Sequence, residues 1–192
     1  DGIPHGTKVT ITEKSVPAPY TIDTIAMTAT IKAGETIFMT SKNTREKGQI
    51  ILDKTGIETG SDLWNDNYSL AGNTFAIRKD SPTGEIVQEM TTDEKGHAET
   101  PKEIANALEL GTYYVTETKA SNGFVNTFKA VKVELKYANQ TVALVTSNIK
   151  GQNQEITGET TLIKEDKDTG DKTQGRAVFE GTEYTLFTAK DG

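Results

Sequence analysis

Cysteine is absent from this 192-residue chain, so neither a disulfide framework nor a thiolate metal site can be built from it. Histidine occurs only as His5 and His97, far apart in turn-like sequence, which removes a histidine cluster as a catalytic or metal-binding device. No apolar run approaches the length of a signal h-region or a membrane-spanning helix, and no membrane insertion is expected. Positive charge is in deficit: 21 Lys and Arg face 28 Asp and Glu, giving a formal net charge of −7. With no basic stripe, nucleic acid and anionic membrane surfaces are excluded as partners. Asp53, Asp62, Asp66 and Asp80 lack EF-hand spacing and read as Asx-turn residues, so neither a metal nor a cofactor is expected.

What the chain has in quantity is alternation of period two. In TFKAVKVELK (127–136), Val131, Val133 and Leu135 share one face while Lys132, Glu134 and Lys136 take the other, as a half-buried strand requires. TIAMTATI (24–31) behaves alike, and further strands are expected near 48–54, 73–79, 86–91, 112–118, 140–148, 159–164 and 183–188. Turn-forming Gly, Asn, Asp and Ser separate them. An all-β fold of sandwich domains follows. One short surface helix is expected in TPKEIANALEL (100–110), where Thr100 and Glu103 have capping-box spacing and Pro101 holds the first helical position.

The chain also repeats itself. YVTETKASNGF (114–124) echoes TITEKSVPAPY (10–20), setting Glu13 and Glu117 apart by 104 positions (117 − 13), the size of a small domain. TIFMTSKN (36–43) lines up with TVALVTSN (141–148), GQIILDKTGIETG (48–60) with GETTLIKEDKDTG (158–170), and AGNTFAI (71–77) with EGTEYTL (180–186). The expected organisation is the back part of one repeat at 1–47, a complete repeat at 48–156 and the front part of another at 157–192.

Three polar residues stand where the alternation calls for an inward apolar one: Lys54 in phase with Ile50 and Leu52, Glu117 with Tyr113 and Val115, and Asn148 with Val142 and Leu144. Burying such groups is costly unless they are paired or neutralised. Desolvation would lower the lysine pKa and raise that of the glutamate, leaving an amine nucleophile beside a protonated carboxyl. The Asn148 carboxamide is then an electrophile, and loss of ammonia would join Lys54 to Asn148 through an isopeptide bond. Taken singly, a strand-end lysine snorkels to water and an asparagine makes a turn. The pattern recurs, however, with Glu13 and Asn43 in the first flank and Lys164 in the last.

A first strand ending in Lys before a TG turn (ILDKTGIETG), then LAGNTFAI, GTYYVTETKASNGF and a last strand ending in Asn (VALVTSN) resembles the Cna B-type, SpaA or prealbumin-like, domains of Gram-positive surface adhesins and pilins. The resemblance implies tandem Ig-like or transthyretin-like β-sandwiches. It gives Lys54 and Asn148 the role of crosslink partners and Glu117 that of catalyst, with Glu13, Asn43 and Lys164 as their counterparts in the partial repeats. Two loops depart from the family's APxGY: Ala120-Ser121-Asn122-Gly123-Phe124, and Pro17-Ala18-Pro19-Tyr20 without glycine.

The function so implied is a stalk segment of a cell-wall-anchored, extracellular adhesin or pilus-like protein. Its only chemistry is single-turnover and self-directed, so it is not an enzyme. Its partners are neighbouring repeats of the same polypeptide, with any host extracellular-matrix or cell-surface ligand met by other domains. The alternative is a ligand-binding module for a host protein or glycan, with Trp64 and Tyr68 of SDLWNDNYSL as the aromatic anchors.

Overall fold

The computed structural model describes residues 2–187, and it divides the chain into two compact units, Asp1–Ile156 and Thr157–Gly192. Thirteen strands occur among the described residues, all in the first unit. Before the complete repeat come β1 (Lys8–Ile11), β2 (Tyr20–Thr21), β3 (Met27–Thr30) and β4 (Thr44–Arg45). β1 pairs with β3 and β2 with β4, both antiparallel. The Ile22 amide donates to the Gln140 carbonyl at 2.7 Å, and the Ala138 amide to the buried Glu46 carboxylate at 2.9 Å, tying this segment to the repeat that follows.

The stretch expected to be a complete repeat contains β5 (Lys47–Gly56), β6 (Thr74–Lys79), β7 (Ile86–Thr91), β8 (His97–Glu99), β9 (Leu108–Glu109), β10 (Gly111–Lys119), β11 (Phe124–Val125), β12 (Val131–Leu135) and β13 (Leu144–Glu155). One sheet has the order β12-β10-β6-β7, the other β11-β13-β5-β8 with β9 also on β5. Their inner faces meet in one core that includes Ile50, Leu52, Phe75, Ile77, Val115 and Val133. β13 and β5 run parallel, in register from Leu144↔Lys47 to Asn153↔Gly56. The first and last strands of the repeat are thus direct neighbours.

Three expectations are corrected. Residues 100–110 form no helix: a lone turn at Glu103–Ala107 is followed by β9. The Thr100 hydroxyl, expected to cap that helix, instead accepts the buried Ile50 amide at 2.9 Å, so the edge of β5 takes the capping group. Residues 159–164 and 183–187 alternate but form no strand, because they have no sheet neighbour of the kind β13 gives β5. Lastly, β13 continues to Glu155, well beyond the 140–148 expected, and this moves the site.

Candidate isopeptide site

β5 alternates as expected, so Ile50, Leu52 and Lys54 point inward and Lys54 is only 1% exposed. Its ladder partner across the sheet is Gly151. A Cβ there would run into the Phe128 ring and press on the Lys54 stem, so the glycine makes the room in which the lysine lies. Gly151→Val is expected to cost about 1–3 kcal/mol, as overpacking does, read as a lower urea midpoint. The Lys54 ammonium nitrogen donates to the Thr55 carbonyl at 3.2 Å and sits 5.7 Å from the centre of the Phe124 ring. Desolvation pushes its pKa down to about 8, against the opposing fields of Glu117 and Glu155.

Glu117 arrives from β10, in phase with buried Tyr113 and Val115, beside the point where the β10–β6 register shifts. Burial raises its pKa above the usual 4.5, opposed by a hydrogen bond from Asn153 and by the nearby Lys54. The pKa values of Lys54 and Glu117 are thus each displaced toward the other.

Asn148 does not join them. Its phase in β13 is the outward one: Asn148, Lys150 and Gln152 are exposed, whereas Gly151, Asn153 and Glu155 are buried and Val145 and Ile149 pack on the core. A strand read one residue out of phase shows its other face. The asparagine that meets Glu117 is Asn153, fully buried, whose amide nitrogen donates to both carboxylate oxygens of Glu117 at 2.8 and 2.8 Å. Its carbonyl oxygen accepts the Thr127 backbone amide at 3.3 Å. Sequence gives no sign of the Thr127 amide, because a backbone group leaves no mark on residue identity. Asn153 does leave one: it follows Asn43 by 110 positions (153 − 43), the same interval that separates Lys164 from Lys54 (164 − 54).

The surroundings hold this trio in place. Phe128 packs edge-to-face on buried Phe75 with ring centres 5.2 Å apart. Glu155 accepts the Glu58 and Thr59 amides and the Thr59 hydroxyl, fixing the turn that leaves β5. Burial would raise its pKa, yet these hydrogen bonds hold it below the usual carboxylate value. Trp64 is about half exposed and meets Tyr68 edge-on at 5.3 Å, while Tyr68 leans on Phe124 at 5.8 Å and donates its hydroxyl to the Ile156 carbonyl. These rings form a chain from the surface to the lysine. The flank residues Glu13 and Asn43 also pair, at 2.7 Å, while Lys164 is exposed in the second unit.

The family model of the SpaA prealbumin-like fold domain matches residues 48–150, just over half of the chain. The chain belongs to this family. The matched stretch includes Lys54 and Glu117 of the SpaA-like domain and stops short of Asn153. No curated protein matches the chain. Among solved structures it is similar to the Bacillus anthracis TIE protein, at 25% identity and a TM-score of 0.54 over 77% of this chain and 25% of that one. It is also similar to a variant of BcpA, the major pilin subunit of Bacillus cereus (27% identity, TM-score 0.37, 55% of this chain and 29% of that one). A third is the full-length major pilin SpaD from Corynebacterium diphtheriae (25% identity, TM-score 0.37, 57% and 30%). The chain thus spans between a quarter and a third of the length of these proteins.

Proposed function

We propose that the SpaA-like domain is a stalk segment of a Gram-positive surface adhesin or pilus-like protein, locked by an autocatalytic Lys54–Asn153 isopeptide bond. The observation that carries this reading is the Asn153 carboxamide, held by its nitrogen on Glu117 and by its oxygen on the Thr127 amide, on the strand paired with that of buried Lys54, whose charge Glu117 also feels. The neutral Lys54 amine attacks Asn153 Cγ. Negative charge gathers on the carboxamide oxygen, toward which the Thr127 amide points. Protonated Glu117 gives its proton to the departing nitrogen and takes one back from the attacking nitrogen. One C–N bond forms, one breaks, and ammonia leaves. Folding supplies the proximity, and for well-oriented groups this replaces roughly 7–11 kcal/mol of barrier.

The reacting state holds one proton between Lys54 and Glu117. Below the raised Glu117 pKa both groups are protonated and the ammonium cannot attack; above about 8 both are deprotonated and no proton remains for the leaving nitrogen. Bond formation in freshly refolded protein is expected to follow a bell-shaped pH profile with its alkaline limb near 8, measured by intact mass against time. A rate that climbs without limit to high pH would remove Glu117 from the proton transfer.

The decisive comparison is between two asparagines. Wild type and Asn148→Ala should both weigh one ammonia less than their calculated masses, while Asn153→Ala should weigh its full value. A wild-type chain of undiminished mass would sink the reading and turn attention to Trp64 and Tyr68 as a ligand-binding surface.

A further inference from the structure

Glu155 is a buried carboxylate that the proton transfer leaves unused. It follows Asn153 by two positions on the inward face of β13 and is 2% exposed. Across the β11–β13 ladder it stands opposite Phe124, the ring whose centre lies 5.7 Å from the Lys54 ammonium nitrogen. Its oxygens are already engaged. Oε1 accepts the Thr59 amide and the Thr59 hydroxyl, each at 2.8 Å, and the Glu58 amide at 3.1 Å, which Oε2 shares at 3.3 Å. Gly56 leaves the room for this, since a Cβ there would strike Oε1 and the Thr59 hydroxyl oxygen.

Two carboxylates therefore act on one buried lysine, and they differ in kind. Burial dominates at Glu117 and raises its pKa, which suits it to carry a proton. Burial pushes Glu155 the same way, but the donors from Thr59 and Glu58 outweigh it and hold its pKa below the usual carboxylate value. Glu155 is thus a charge that stays ionised wherever the amine can react. Other charged groups on the elements around Lys54 face away: Asp53, Asp93, Glu94, Glu99, Lys119 and Lys150 are exposed, and His97 pairs with Asp53 on the outer face of the sheet. The Glu58 carboxylate is also exposed and accepts the Gln154 side-chain amide.

We propose that Glu155 is a positioning residue for the Lys54–Asn153 reaction: a fixed counter-charge that acts through Lys54, seating its ammonium by Phe124 and restraining release of the proton that the attack requires. The proposal rests on the reaction proposed above and concerns how that reaction is regulated. An anion near an ammonium favours the charged form, so the fold is spared an unpaired buried charge before the bond exists, and the amine is freed less readily. When the bond closes, the lysine charge disappears. Glu155 is then left with its hydrogen bonds to the turn after β5, which need no cation.

The test follows ammonia loss by intact mass in the freshly refolded whole chain, across a range of pH, for wild type and Glu155→Gln. Glutamine keeps an acceptor oxygen for the turn and removes the charge. Between the two limbs of the pH profile the variant should crosslink several-fold faster than wild type, because more of its lysine is neutral, and its alkaline limb should lie at lower pH. Above both limbs the two rates should converge, since the amine is free in each. Thr59→Val, which loosens the turn and leaves the charge, should keep the wild-type limb. Loss of mere structural support would slow the reaction, not speed it. A Glu155→Gln limb that coincides with that of wild type, or a variant slower at every pH, would overturn the counter-charge and leave the Lys54–Asn153 reading standing. So would a Glu155→Gln chain whose Trp64 emission shows it unfolded, because the carboxylate would then be a structural necessity. Wild type of full mass at every pH would overturn the underlying reaction and this inference with it.

Discussion

Refolded with Glu117→Gln, the chain is expected to keep its full calculated mass for hours under conditions where the wild type loses its ammonia. Glutamine preserves the size of the side chain and an oxygen to accept the Asn153 amide, so the site should still assemble. It cannot give a proton to the leaving nitrogen and take one back from Lys54. Loss of a positioned acid–base group slows a reaction by about 10²–10⁴-fold, and here the raised Glu117 pKa also provides the neutral partner that lets Lys54 shed its charge. Intact-mass time courses at several pH values decide it. A Glu117→Gln variant that crosslinks within a factor of a few of wild type would mean that proximity alone suffices.

Lys54→Met should show the largest loss of stability. Methionine matches the lysine stem in volume and removes the cost of burying an ammonium, so the uncrosslinked fold is not penalised by the exchange. What disappears is a closure of 99 residues (153 − 54) in the unfolded chain. On the chain-entropy model a loop of that size is worth roughly 4–5 kcal/mol, which in a domain of about 100 residues lowers Tm by roughly 20–30 °C. Trp64, the only tryptophan, reports the transition because its ring chain ends at Phe124 beside the site. Glu117→Gln should fall by a similar amount, since it too lacks the bond. If Lys54→Met and wild type melt within a few degrees of each other, no tie joins β5 to β13.

Which parts of this are legible depends on what each strand buries. β5 and β10 each have one dry face, so apolar residues mark the phase and Lys54 and Glu117 stand out against it. β13 is harder. The run leading into it and its early part carry apolar residues in both phases, Val142 and Leu144 in one and Val145 and Ile149 in the other, and from Gly151 to Glu155 it offers no apolar side chain. Alternation stops being readable where the buried residues are Gly, Asn and Glu, and so the pattern points to Asn148 instead of Asn153. The helix expected at 100–110 fails for a different reason: a local cap signal loses to a long-range demand, the Ile50 amide taking the Thr100 hydroxyl. The flanking strands at 159–164 and 183–187 show the converse, a correct alternation without a neighbour to pair with.

The parallel pairing of β5 and β13 has a consequence for a chain pulled from its two ends. With the proposed Lys54–Asn153 bond in place, tension arriving at Lys47 would run up β5 only as far as Lys54, step across to Asn153 and depart at Ile156. The residues between those two anchors, 55 to 152, would then hang as a closed loop off the line of tension. At about 3.5 Å per extended residue they hold roughly 340 Å of contour. That length could never be drawn out, so a stalk of such units would answer a tug by transmitting it, and its core would feel none of the load.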